Sequence, residues 1–201
     1  MPIEKPLTIR EQVYKILKNS ICDGEFKPGE WLQEKELAAK LNVSRSPIRE
    51  ALHSLVSDGL AVEIPNKGVF VKTFTPKDID EIFDLRVMLE NYAISKSKDN
   101  ITSKQVNNLL DTLSKLEFAY NENNLLEYTS IDSSLHSQII TLSGNSLLES
   151  TYNQLGSMIS QFRIYSLSEN QRFVESFYEH KSLVDNIITG DIKKAMDINS
   201  Q

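Results

Sequence analysis

The sequence predicts a mainly α protein: an N-terminal winged helix-turn-helix of three helices plus a β-hairpin, followed by a C-terminal all-α helical bundle. Three observations carry this reading. Apolar residues recur at helical spacing through most of the 201 residues. Two short β-prone runs, LAVEI and VFVKTF, follow the third helix and are separated only by PNKG. From Pro76 onward the pattern is helical throughout.

The first predicted helix covers residues 8–22, with Ile9, Val13, Ile16, Leu17 and Ile21 as its apolar stripe and Thr8 with Glu11 as a capping box. Gly24, Pro28 and Gly29 end it. Glu34 to Leu41 forms a short second helix that buries Leu37, Ala38 and Leu41, after which Asn42 and Val43 turn the chain. Ser44 suits the N-cap of a third helix, whose buried face is Ile48, Ala51, Leu52, Leu55 and Val56, and Gly59 stops it. Pro47 is tolerated because first-turn amides have no intrahelical partner to lose. Asn66 and Gly68 suit the hairpin turn.

A boundary falls near residues 73–77, dividing residues 1–74 from 75–201. Thr75, Pro76 and Asp78 start a new helix there. The predicted helices of the bundle span about 76–98, 103–121, 124–142, 146–166 and 169–189, with another from Asp191 onward. Tyr92, Tyr128, Tyr152, Phe162, Tyr165, Phe173 and Phe177 read as core.

A chain of this length buries roughly 70% of its unfolded surface. A single cysteine, Cys22, excludes an internal disulfide framework. The N-terminus lacks the apolar run of a signal peptide, and no segment approaches the roughly 20 apolar residues of a membrane span. The expectation is a soluble, cytoplasmic protein with no membrane partner. The net charge of −6 is unevenly spread: residues 1–74 hold 11 Lys+Arg against 10 Asp+Glu, and residues 75–201 hold 11 against 18. Phosphate attraction is local on the scale of the Debye length, so the acidic total does not exclude nucleic acid.

Within the third helix, Arg45 and Arg49 lie one turn apart on the face opposite Ile48 and Leu52, with Ser46 beside them. Cations at a helix N-terminus oppose the helix dipole by a few tenths of a kcal/mol or more. Phosphates compensate, and an arginine in the major groove gains roughly 1–3 kcal/mol of discrimination from a bidentate bond to guanine. The plain alternative is two solvated arginines paired with Glu50 or Glu34. Lys35 at the start of the second helix and Lys67 at the hairpin tip bring cations from two further elements, which favours DNA. His53 is one turn beyond Arg49 and reads as a surface histidine.

The stretch WLQEKELAAKLNVSRSPIREALHSLVSDGLAVEIPNKGVFV resembles the DNA-binding domain of GntR-type bacterial transcription regulators nearly position for position. The resemblance implies that Lys35, Ser44, Arg45, Ser46 and Arg49 contact operator DNA and that Lys67 and Gly68 form the wing tip. Gly68 also permits close backbone approach on its own account.

Two bundle helices carry polar residues in their apolar stripes. Asp132 and His136 fall within or beside the stripe of Leu125, Tyr128, Leu135, Ile139 and Leu142. His180 is the middle of Phe173, Phe177, Val184 and Ile187. Unpaired burial of such groups costs several kcal/mol, so they need partners. Spacing alone leaves two readings open, a buried Asp–His hydrogen bond and a metal site. The segments DLRVMLENYAI, IDSSLHSQIITLSGN and YEHKSLVDNIITGDIKKAM resemble the FCD ligand-binding domain of the FadR subgroup. That resemblance implies a divalent ion, Zn²⁺ first, held by one Asp and three His, with Asp132, His136 and His180 matching three of the four ligands. The resemblance places the family's fourth histidine about six helical turns after the position of His180, just past Gln201, so the expected site has three protein ligands, with water able to fill the fourth position.

In such domains the effector is often a small organic acid near the metal. Arg86, on the stripe of Ile79, Ile82, Phe83 and Leu89, and Arg163, after Ile159 and Phe162, can each receive a carboxylate. The plain reading makes both internal salt-bridge partners, with Glu90 four residues from Arg86. The expected function is an effector-responsive repressor, not an enzyme, that binds a palindromic operator as a homodimer and is released by a small carboxylate. Two rivals are weighed against it: a metal-dependent hydrolase using Asp132, His136 and His180, and an architectural DNA binder without effector.

Overall fold

The computed structural model describes residues 6–167 and 170–201, without the side chains of residues 99, 100, 164, 165 and 170. The chain divides into two compact units, Met1–Thr75 and Pro76–Gln201.

The first unit is built from α1 (Ile9–Cys22), α2 (Glu34–Leu41), α3 (Arg45–Ser57), β1 (Ala61–Ile64) and β2 (Gly68–Val71). Thr8 caps α1 through the complete capping box with Glu11. Asn42 closes α2 in the left-handed conformation (φ 51°), which lets the chain reverse into α3. Ser44 occupies the N-cap position of α3 but its side chain makes no capping hydrogen bond, so its hydroxyl stays available.

The core gathers Val13, Leu17 and Ile21 of α1, Leu37 of α2, Ile48, Ala51, Leu52 and Leu55 of α3, and Val69 and Val71 of β2. The expected stripe of α1 is too wide. Ile9 and Ile16 are exposed because Ile9 overhangs the core by a turn and Ile16 lies about 100° round the helix from Leu17. β1 and β2 pair antiparallel, Ala61 opposite Val71 and Ile64 opposite Gly68, with Asn66 (φ 62°) and Gly68 (φ 105°) making the turn. Residues 30–32 add a third short edge: Leu32 N–H donates to Val69 O at 2.9 Å and Val71 N–H to Glu30 O at 2.9 Å.

The second unit contains α4 (Pro76–Asn100), α5 (Ser103–Asn121), α6 (Leu125–Thr141), α7 (Ser146–Leu167), α8 (Asn170–Thr189) and α9 (Ile192–Asn199). These follow the predicted spans within a few residues, and the predicted start at residue 169 lies outside the described residues. Thr102 and Gln105 form a capping box on α5, and Asp191 caps α9. α6 packs against both α5 and α7, and α9 against α4 and α8.

Leu109, Leu116, Tyr128, Leu135, Ile139, Phe173, Phe177 and Val184 fill the core. Tyr92 is not among them. It lies on the outer face of α4, 45% exposed, with Lys96 Nζ 5.4 Å from its ring centre. Phe162 is partly buried, and the side chain of Tyr165 lies outside the described residues. Cys22 is the one cysteine of the sequence, and burial pushes its thiol up to about 11. No described helix is long and apolar enough to cross a membrane.

Candidate nucleic-acid interface and buried polar site

α3 begins directly after the α2 turn, so its first residues project from the unit while Ile48 and Leu52 anchor its inner face. Arg45 and Arg49 are 63% and 59% exposed. Lys35, Ser44, Ser46 and Lys67 are exposed as well. Arg45, Arg49, Lys35 and His53 line one wall of an open cleft of about 400 Å³, whose other side carries Trp31, Glu63, Gly68 and Val69. α3 and the β1–β2 hairpin thus stand on either side of a cleft that carries three cations, Lys35, Arg45 and Arg49, and two carboxylates, Glu34 and Glu63. At Gly68 an added Cβ would lie 2.8 Å from Trp31 Nε1, so the wing tip sits directly on the indole.

The two arginines are also paired, as the plain reading held, and the partner is Glu34. Arg49 Nε donates to Glu34 Oε1 at 2.9 Å, and Nη2 of both arginines donates to Oε2 at 3.0 Å. Glu50 accepts from Ser46 Oγ at 3.3 Å instead.

In the second unit four helices direct polar groups to one buried point. α6 supplies Asp132 and His136, α8 supplies His180, α4 supplies Arg86 and Glu90, and α7 supplies Tyr152 and Arg163; all but the partly buried Arg86 are buried. His180 Nε2 lies 3.0 Å from both Asp132 Oδ1 and His136 Nε2, and His136 Nε2 is 3.7 Å from Asp132 Oδ1. The outer nitrogens are held from behind: His136 Nδ1 lies 3.1 Å from Glu90 Oε1, and His180 Nδ1 lies 3.2 Å from Ser176 Oγ, itself 3.0 Å from the Tyr128 hydroxyl. Glu90 Oε1 also accepts from Tyr152 OH at 2.8 Å and Arg86 Nε at 3.0 Å. Arg163 Nε donates to Asp132 Oδ2 at 2.8 Å and its Nη1 to Ser133 Oγ at 2.6 Å.

Charge neighbours set the protonation states here. Burial alone would raise both carboxyls, but Arg86 and His136 hold Glu90 well below its usual range, and Arg163 with the two imidazoles does the same for Asp132. Burial, reinforced by the Arg86 charge, pushes His136 down to about 4 against the opposing pull of Glu90 and Asp132. At neutral pH His136 is therefore uncharged, and its Nε2 lies 2.9 Å from the donor Arg86 Nη2 as well as 3.0 Å from His180 Nε2.

Residues 9–71 match the family described as bacterial regulatory proteins, gntR family, and residues 81–201 match the FCD domain. The chain belongs to the GntR family of bacterial regulatory proteins. A protein of Bacillus subtilis (strain 168) described as the uncharacterized HTH-type transcriptional regulator YdhC is 31% identical over 186 residues, 92% of this chain and 83% of that one. The gluconate operon transcriptional repressor of Bacillus licheniformis is 28% identical over 170 residues, 85% of this chain and 69% of that one. The solved structure of E. coli McbR/YncC superposes with a TM-score of 0.83 at 24% identity, covering 96% of this chain and 92% of that one, and shares the fold.

As a GntR-family member with an FCD domain, the chain is a DNA-binding transcription regulator. The hydrolase reading gains no support from either match. Sequence reasoning left Ser176 unremarked and placed Tyr152 only in the core. Glu90 is visible from sequence as the i+4 partner of Arg86, but its contact with His136 depends on how α4 packs against α6.

Proposed function

We propose that this regulator is a repressor that binds a palindromic operator as a homodimer and is released when its FCD unit takes up a small carboxylate beside a divalent metal. It would act in the cytoplasm. The observation that carries the reading is the outward projection of Arg45 and Arg49 from the first two turns of α3, beside a wing tipped by Lys67 and Gly68. Lys35, Ser44 and Ser46 complete the DNA-facing set. One such head reads few base pairs, and two related by a twofold axis read half-sites about one helical turn apart.

Asp132, His136 and His180 would hold the metal. Their ligand atoms lie 3.0–3.7 Å apart, and tetrahedral Zn²⁺ with bonds of roughly 2.0–2.1 Å holds its ligands about 3.4 Å apart. Asp132 Oδ1 is buried and accepts no aligned hydrogen bond although His180 Nε2 is 3.0 Å away, which suits an atom meant for a cation. Bound there, the ion supplies positive charge for an anionic ligand.

Arg86 and Arg163 line the adjoining cavity of about 370 Å³. Glu90 and Asp132 orient them from one side, leaving further N–H donors for a carboxylate. The ligand must bind the DNA-competent and incompetent states with different affinity.

The test is a mobility-shift titration on duplex from upstream of the protein's own gene, at low and high salt, with Arg49→Ala alongside. The variant is expected to bind more weakly and with a salt slope smaller by about one. Unchanged affinity at low salt would refute the assignment. Elemental analysis of the purified chain beside His180→Ala tests the metal, and equal metal content in both removes His180 from the site.

A further inference from the structure

Glu34 sits at the centre of the reading face, and an acidic group there opposes phosphate. It opens α2, and its side chain is only 25% exposed. Oε1 and Oε2 take the Nε and Nη2 of Arg49, while Oε2 also takes Nη2 of Arg45. The arginine hydrogen bonds, Arg49 first, lower its carboxyl against the opposing effect of burial, so it is a carboxylate under all ordinary conditions. Glu50 is similarly close in sequence to the reading residues, yet its side chain is 55% exposed and engages Ser46 and Arg10.

Two consequences follow from that geometry. A guanidinium has two edges that can form paired hydrogen bonds, and Glu34 occupies the Nε/Nη2 edge of Arg49, leaving the Nη1/Nη2 edge free. A long side chain otherwise free to choose among rotamers is thereby fixed before DNA arrives, with one fork available for the O6 and N7 of guanine. The carboxylate also offsets one of the two positive charges and repels phosphate oxygens, which weakens binding that depends on charge alone.

We propose that Glu34 is a specificity-determining positioning residue, which holds Arg45 and Arg49 for base reading and suppresses sequence-independent attachment to the phosphate backbone. The proposal rests on the DNA-reading assignment above.

The test uses the full chain and two duplexes: one carrying a site that the wild type enriches from a random-sequence library, and one with that site scrambled. Glu34→Gln keeps the size and removes the charge. It is expected to bind the scrambled duplex several-fold more tightly, to steepen the salt slope by about one, and to lower the ratio of specific to scrambled affinity at least tenfold. Glu34→Asp keeps the charge and shortens the reach. It is expected to retain the wild-type salt slope on scrambled duplex while losing part of the ratio.

If Glu34→Gln keeps the ratio within twofold, or weakens binding to both duplexes alike, the proposal is overturned. Should the wild type enrich no site and Arg49→Ala change nothing, the DNA-reading assignment itself fails and takes this one with it.

Discussion

Asp132→Asn tests whether the buried site is electrostatically closed. Two carboxylates, Asp132 and Glu90, face two guanidiniums, Arg163 and Arg86, with His136 kept neutral by burial. Asparagine preserves the shape and one acceptor but leaves the Arg163 charge buried without its counterion. Removing one partner of a buried pair costs about 3–5 kcal/mol. The 126 residues of the second unit, at roughly 2.1 cal/mol/K of unfolding entropy each, carry about 0.26 kcal/mol/K, so a loss of about 3 kcal/mol lowers the midpoint by about 11 °C.

Thermal unfolding followed by far-UV circular dichroism in the presence of a chelator gives the shift without a contribution from metal. Trp31 is the only tryptophan and lies in the first unit, so its fluorescence reports that unit separately. Its transition should not move. Adding Arg163→Met to Asp132→Asn should restore at least half of the loss, since the stranded charge is then gone. A shift under about 3 °C, or a double variant that is worse than Asp132→Asn alone by the full cost of a second lesion, would show that the pair is not what balances the site.

Other consequences are checked more simply. The folded-state pKa of His136 is about 4 against an ordinary 6.5, so the unfolded chain binds more protons between those values. Stability of the second unit should rise with pH from about 4 to 6.5 and be flat above. The contributions of Glu90 and Asp132, both depressed, are present above their ordinary range and disappear only under more acid conditions. Urea titrations across pH should show the upper limb, and His136→Gln should flatten it; an upper limb unaltered in the variant assigns the proton elsewhere. Gly68→Ala forces a β-carbon to within 2.8 Å of Trp31 Nε1 at a φ of +105°, and a cost of about 1–3 kcal/mol is expected, read as an altered Trp31 emission and an earlier urea transition. Thr102→Ala removes the capping box of α5 and should cost about 1 kcal/mol by chemical denaturation; no change would mean that the solvent caps that helix equally well.

Much of the secondary structure is legible because its signals are local. Thr8 with Glu11, Asn42 before α3, and Thr75–Pro76 at the start of α4 are short-range chemistry, and each falls where a helix begins or ends. The apolar stripes of α6 and α8 likewise place Asp132, His136 and His180 inside, since period alone sets direction in a helix. Burial at the margins is less legible. Ile9, Ile16 and Tyr92 carry the right residue type and spacing, yet whether a neighbouring element covers them is a property of tertiary packing. The same limit applies to the site: sequence supplies Arg86 with Glu90, four apart, but not the meeting of Glu90 with His136 or of Arg163 with Asp132, which depends on how α6 packs against α4 and α7. At the reading face the choice between free and paired arginines proves to be a false alternative, because Glu34 leaves one fork of Arg49 open while holding the other.

Each unit closes an apolar interior from its own residues, Val13 to Val71 in the first and Ala93 to Ala195 in the second. Natural recombination can therefore trade one piece against a foreign counterpart without tearing open the other, and a hybrid keeping Pro76–Gln201 would bring new promoters under an old sensor in a single genetic event.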